Sequence, residues 1–188
     1  MTAVAHTFLF TDLVGFTALA AAEGDDRAAE VAVTLRQRVR RLLPAHRAEE
    51  VKAIGDGLML RCDDAALGVR LGVSIVRDLE DAGGFPPVRV GIHSGPAVSR
   101  GGDWYGTTVN VAARLCAAAS GGEVLVSEGT LRAAGSVPRV ELGEHRLHWL
   151  KNVVEPVSAR VAYERRCSEG RLSGLKALIR ARPQEALS

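Results

Sequence analysis

The chain has 188 residues, 47% hydrophobic and 24% charged. It is long enough to bury a core without disulfides or a structural metal, and too apolar to be disordered throughout. Its 24 Lys and Arg against 22 Asp and Glu leave a formal charge of +2, which excludes the strongly basic balance of a dedicated nucleic-acid binder.

Residues 7–10 form a short apolar run with two phenylalanines, followed by Asp12 and by Gly15 where a strand would turn, so a strand leading into a loop is expected. From residue 18 to 43 the apolar positions Val31, Leu35, Val39 and Leu42 recur at helical spacing until Pro44, which predicts one long amphipathic helix. The runs 51–54 and 58–60 flank Gly55-Asp56-Gly57, where glycine supplies the positive φ of a tight turn, and this predicts a hairpin with Asp56 at its tip. Leu67, Leu71, Ile75 and Leu79 predict a second helix through residue 81, with Asp63 or Asp64 as N-cap and Gly83-Gly84 as its stop. Next come a strand over 88–92 with a turn at His93-Ser94-Gly95-Pro96, a helix over 109–119, and strands over 124–127, 146–150 and 157–163. This order predicts an α/β (α+β) architecture around a mainly antiparallel sheet. Residues 164–188 hold six basic and three acidic side chains, so the organisation expected is a near-neutral domain over 1–163 and a basic tail over 164–188, helical or disordered.

Cys62, Cys116 and Cys167 are odd in number and form no CxxC, which suggests neither a disulfide framework nor a zinc site and fits a reducing, cytoplasmic compartment. The longest uncharged stretches, 1–11 and 13–22, are too short to cross a bilayer, and no basic residue precedes Asp12 to form a signal-peptide leader. Neither a membrane nor a nucleic acid is an expected partner.

Two aspartates stand out by context: Asp12 at a strand end before a glycine-containing loop, and Asp56 at a hairpin tip. An Asp in Gly-Asp-Gly is ordinarily a turn residue, but if the two strands are neighbours the carboxylates can converge on hard divalent cations. Asn110 and Arg114, four residues apart, share one face of the third helix. Arg114 offers fixed donors suited to phosphate oxygens, and Asn110 can donate to a hydroxyl or ether oxygen. Alone, that pair would read as a solvated helix face.

Four segments then stop being generic: Phe8-Leu9-Phe10-Thr11-Asp12-Leu13-Val14-Gly15-Phe16-Thr17, Val51-Lys52-Ala53-Ile54-Gly55-Asp56-Gly57-Leu58-Met59, Val90-Gly91-Ile92-His93-Ser94-Gly95-Pro96 and Tyr105-Gly106-Thr107-Thr108-Val109-Asn110-Val111-Ala112-Ala113-Arg114-Leu115. Together and in this order they resemble the class III nucleotidyl cyclases over residues 7–163. Only eight residues separate Pro96 from Tyr105, which resembles the short-armed bacterial subclass.

The resemblance implies a ferredoxin-like βαββαβ core, paired head to tail as a homodimer with active sites at the interface. It implies that Asp12, Leu13 and Asp56 form the metal site for two divalent cations, Mg²⁺ or Mn²⁺, and that Gly15, Phe16, Thr17 and Lys151 bind the substrate phosphates. Asn110 would orient the ribose and Arg114 would stabilise charge on the α-phosphate, both from the partner subunit. Lys52 and Asp103 match the positions that read the base. A lysine donates to adenine N1 and a carboxylate accepts from its N6 amino group, so this pair implies ATP as substrate and an adenylate cyclase. The alternatives are a catalytically silent nucleotide-binding regulatory module and a guanylate cyclase, the latter needing other residues at 52 and 103. His93 is read as structural, since metal activation of the hydroxyl leaves no need for it as a base.

Overall fold

The computed structural model describes residues 5–153 and 155–165. Its central strand is β1 (Ala5–Leu13), in which Phe8 and Leu9 are both fully buried. Neighbouring residues of a strand point to opposite faces, so both sides of the sheet must be covered. β1 pairs antiparallel with β3 (Gly57–Cys62) on one side and with β4 (Val88–Pro96) on the other. β3 pairs antiparallel with β2 (Ala48–Ile54) beyond it. The sheet continues past β4 through β7 (Val124–Ser127) and β9 (Val157–Glu164) to β8 (Val140–His148), giving the order β2-β3-β1-β4-β7-β9-β8. Only β4 and β7 run parallel, so the sheet is mainly antiparallel and its first four strands have the expected βαββαβ connectivity.

One face is covered by α2 (Asp25–Leu42) and α3 (Ala65–Ala82), whose Val31, Leu35, Val39, Leu71, Ile75 and Leu79 pack with Leu9, Val90 and Ile92. Asp64 caps α3, its carboxylate accepting from Leu67 N at 3.0 Å. The other face carries α4 (Thr107–Ala118), whose Val109 and Ala112 pack on Phe8 and Met59 and whose Val111 and Leu115 pack on Leu125 and Ala159. Gly91 sets how closely α4 sits. A Cβ there would lie 2.0 Å from Cys116 N and 2.5 Å from Ala112 O, so helix backbone rests directly on strand backbone.

The expected single helix over 18–43 is two helices, α1 (Phe16–Glu23) and α2, broken at Gly24 with φ +89°. The break lets Asp25 and Asp26 occupy the first turn of α2, where negative charge favours the helix dipole. The expected turn at His93–Pro96 is instead the end of β4, because Gly95 and Pro96 pair with His6 and Ala5 of a β1 longer than its apolar run. Long-range pairing has overridden local turn preference. β8 starts at Val140, ahead of the expected 146, with a register shift between Leu142 and His145. A hairpin of β5 (Val98–Arg100) and β6 (Asp103–Tyr105), turning through Gly101 and Gly102 at positive φ, and the short α5 (Glu128–Ala134) had no counterpart in the sequence reading. Beyond residue 165 the expected basic tail lies outside the described residues, as does Cys167. Cys62 and Cys116 are buried and free, and burial pushes the Cys116 thiol up to about 12, so both are packing groups. Among the described residues no helix is long and apolar enough to cross a membrane.

His93 lies 2.7 Å from the Ser127 hydroxyl, itself the cap of α5 through Thr130 N, which gives the ring a structural setting. Burial lowers its pKa from the ordinary 6.5, so the folded chain favours the neutral ring. That contribution is complete above the ordinary value and is lost as pH falls through and below it. The melting temperature should therefore drop between pH 7 and 5, and His93→Gln should flatten the slope, leaving a residue of the same sign from His148, whose pKa burial also lowers. For the α4 contact, Gly91→Ala should destabilise the chain by about 3 kcal/mol in urea titration. Gly129→Ala, whose Cβ would meet nothing closer than 4.0 Å, should be near neutral.

Candidate active site

Asp12 lies near the end of β1, beside the β2–β3 turn. Gly55 takes that turn with φ +58°, and Gly57 makes a contact no other residue could: its Cβ would lie 2.3 Å from Thr11 O. Thr11 also accepts from Leu58 N through its hydroxyl at 3.1 Å. The turn is thereby fastened to the end of β1, and Asp56 Oδ2 accepts from Leu13 N at 3.2 Å. Asp56, 44 positions from Asp12 in sequence, thus accepts from the amide that follows Asp12, so the chain segments that carry the two aspartates are neighbours. Leu13 has its side chain buried in the core, so it faces the carboxylates only through its main chain.

Arg89 was not singled out from the sequence. It pairs with Asp12 across β1 and β4, and its Nε and Nη2 donate to Asp12 Oδ2 at 2.8 and 2.5 Å. Its Nη1 donates to Ala117 O at 3.0 Å, tying the end of α4 to the same carboxylate. The signal was one arginine among the valine, glycine and isoleucine of the expected strand over 88–92, but its partner is visible only once the register is known.

After Leu13 the chain turns through Val14 and Gly15, the latter at φ +85°, into α1. Val14 N donates to Pro87 O at 2.9 Å. Gly15, Phe16 and Thr17 have no main-chain acceptor for their N–H groups among the described residues, as the first turn of a helix leaves them. Phe16 packs its ring partly into the core and Thr17 is exposed.

Lys52 and Asp103, 51 positions apart, are brought together, with Nζ 2.5 Å from Oδ2. The Lys52 ammonium, helped by the Trp104 N–H, holds the Asp103 carboxyl below the usual carboxylate range. Asn110 and Arg114 lie exposed on one face of α4, and Lys151 is exposed in the turn between β8 and β9. Among the described residues no hydrogen bond or ion pair links Asn110, Arg114 or Lys151 to Asp12, Asp56, Lys52 or Asp103. Two clefts of the chain, of about 250 and 320 Å³, lie along α3 and contain none of these residues.

The donor set suits a hard cation in an open site. Asp12 and Asp56 each keep Oδ1 free of hydrogen bonds among the described residues, and oxygen is the ligand that Mg²⁺ and Mn²⁺ prefer. No cluster of three or more His, Cys, Asp or Glu able to hold a metal occurs among the described residues, so a cation here would complete its shell with water and substrate oxygens.

The Adenylate and Guanylate cyclase catalytic domain family matches residues 3–145. Among curated relatives, the chain is 38% identical over 135 residues to a pH-sensitive adenylate cyclase of Mycobacterium tuberculosis, covering 72% of this chain and 34% of that one. It spans about a third of the length of the curated bacterial relatives it matches. Among solved structures, it superposes on an adenylate cyclase of Trypanosoma brucei with a TM-score of 0.76 at 23% identity, covering 85% of this chain and 88% of the other. It matches the guanylate cyclase domain of Catenaria anguillulae in complex with GTP with a TM-score of 0.76 at 19% identity, covering 88% and 100%. Adenylate and guanylate cyclases therefore share this fold, which does not by itself choose a base. Family match, fold and the order of the four motifs agree: the chain belongs to the adenylate and guanylate cyclase catalytic-domain family, whose members work with divalent metal ions on a nucleotide.

Proposed function

We propose that this chain converts ATP to 3′,5′-cyclic AMP and pyrophosphate at two composite sites of a head-to-tail homodimer, using two divalent cations, Mg²⁺ or Mn²⁺. The observation that carries the choice of ATP is the contact of Lys52 with Asp103. A donor beside an acceptor complements adenine N1 and N6, whereas guanine presents the reverse, an N1–H and an O6.

Each proposed site draws on both chains. Asp12, Leu13 and Asp56 of one subunit hold the cations, which when bound polarise the ribose 3′-hydroxyl and the triphosphate. The free N–H groups of Gly15, Phe16 and Thr17 receive the terminal phosphates at the start of α1, with Lys151 as a further cationic donor. Lys52 and Asp103 of the other subunit hold the base, Asn110 orients the ribose, and Arg114 lies against the α-phosphate as charge develops there. The 3′-oxygen bonds to the α-phosphorus, the bond to pyrophosphate breaks and the hydroxyl proton is released. Support for sharing comes from the single chain, where Asn110 and Arg114 are exposed and touch neither carboxylate.

With Mn²⁺, the purified protein should form cyclic AMP from ATP in preference to cyclic GMP from GTP, and Asp12→Ala should lose activity by at least about a hundredfold. Preferential cyclic GMP would overturn the base reading, and no cyclic product from intact dimers would leave a silent nucleotide-binding module. Mixing Asp12→Ala with Asn110→Ala chains should restore about a quarter of wild-type activity, because half the dimers are mixed and each holds one intact site of two. No recovery where mixed dimers are shown to form would rule out the shared site.

A further inference from the structure

The hairpin carrying Asp103 is a separate two-stranded sheet and shares no ladder with the main one. Backbone pairing therefore does not fix where Asp103 stands, and side chains must. Residues of a strand alternate between faces, so Trp104 points away from the side that carries Asp103 and Tyr105. Its indole packs with the buried cluster of Phe8, Met59, Val109 and Ala112. There it meets His6 edge-on at 4.5 Å and Phe8 at 5.6 Å between ring centroids.

Arg61 covers the indole, with its guanidinium carbon 4.9 Å from the ring centroid. That guanidinium is itself held in orientation. Its Nε donates to Glu49 Oε1 at 2.7 Å, its Nη1 donates to Asp63, and Asp63 in turn bonds His6 at 2.7 Å. The Arg61 side chain is only 16% exposed, so its attraction to the ring is little screened. Trp104 is thus gripped by β1 and β3, at the centre of the sheet, while its main-chain N–H donates to Asp103 Oδ1 at 2.8 Å. This one residue anchors the hairpin below and orients the carboxylate above.

We propose that Trp104, clamped by Arg61 and His6, is a positioning residue for base selection: it holds Asp103 at the distance from Lys52 at which the pair fits adenine. The inference rests on the reading of Lys52 and Asp103 as the base contact. Trp104 touches no substrate and acts through Asp103, so it controls discrimination between ATP and GTP rather than the chemical step.

The test compares kcat and KM for ATP and for GTP in full-length Trp104→Leu, Trp104→Phe, Arg61→Met, Asp103→Asn and the double variant Trp104→Leu/Asp103→Asn, with melting temperatures alongside. Trp104→Leu keeps apolar volume in the cluster but loses the ring. The main-chain N–H to Asp103 is kept, so the change removes the anchor alone; it should lower the ATP:GTP ratio of kcat/KM about tenfold, mainly through KM for ATP, as a displaced Asp103 carboxylate loses its hydrogen bond to the base. Trp104→Phe should restore most of the ratio, and Arg61→Met should lower it about threefold. The double variant should be no less selective than Asp103→Asn alone, because Trp104 acts on selectivity only by placing the Asp103 carboxylate. A lowered ratio in Asp103→Asn with an unchanged ratio in Trp104→Leu would overturn the inference and leave the base reading standing. An unchanged ratio in Asp103→Asn would overturn the base reading and the inference with it. Should Trp104→Leu fail to fold, the ratio in Arg61→Met decides: unchanged, it overturns the clamp.

Discussion

The site depends on the absence of a side chain at residue 57. With hydrogen in place of Cβ, the β2–β3 turn presses against the carbonyl of Thr11, and the Thr11 hydroxyl closes the contact from the other side. Any other residue would push the turn away from the end of β1, because the neighbour is backbone and cannot rotate aside. What the contact delivers is Asp56, aimed at Leu13 N beside Asp12. Gly91 does the same on the α4 face, where strand and helix backbones touch and fix the helix that carries Asn110 and Arg114. Two missing side chains set the positions of three proposed site residues, Asp56, Asn110 and Arg114.

Asp12, Lys52 and Asp103 already have charged partners within the chain, and the strength of those pairings matters for ligand entry. Asp12 is paired with Arg89, with side-chain exposures of 34% and 27%, and Lys52 with Asp103 at 43% and 25%. Pairs this open to water are weak. A deeply buried pair would leave an uncompensated charge when opened, at a cost of several kcal/mol. In the proposed function these internal partners can therefore be exchanged for cation and base without a large penalty, while they keep the side chains ordered in the meantime. Arg114 makes no ion pair among the described residues, in keeping with a group whose proposed counter-charge arrives from outside its own chain.

Much of this was legible in the sequence because it is written locally. Gly55-Asp56-Gly57 states a turn, Asn110 and Arg114 state a shared helix face by their spacing, and Asp63-Asp64 states a helix cap, which the fold gives to Asp64. Arg89 was not legible, because its meaning lies in being opposite Asp12, and register is a property of the whole sheet. Gly24 was passed over because alanine-rich sequence on one side and an amphipathic stripe on the other both read as helix, and only the backbone angle separates them. His93–Pro96 misled in the opposite direction: glycine and proline there are turn formers locally, yet β1 offers them a partner strand.

The two hairpins of the site differ in how they are held, and the difference bears on how such a site can change. The β2–β3 turn is fixed by backbone contact and by pairing in the main sheet, so the carboxylates it brings together are insensitive to most substitutions around them. The β5–β6 hairpin is held by side chains, chiefly the indole of Trp104 under the Arg61 guanidinium. Side-chain anchors are set residue by residue. In the proposed division of labour, the metal-binding half would resist change because altering it means moving backbone, while the base-reading half could be retuned one side chain at a time without dismantling the sheet on which catalysis rests.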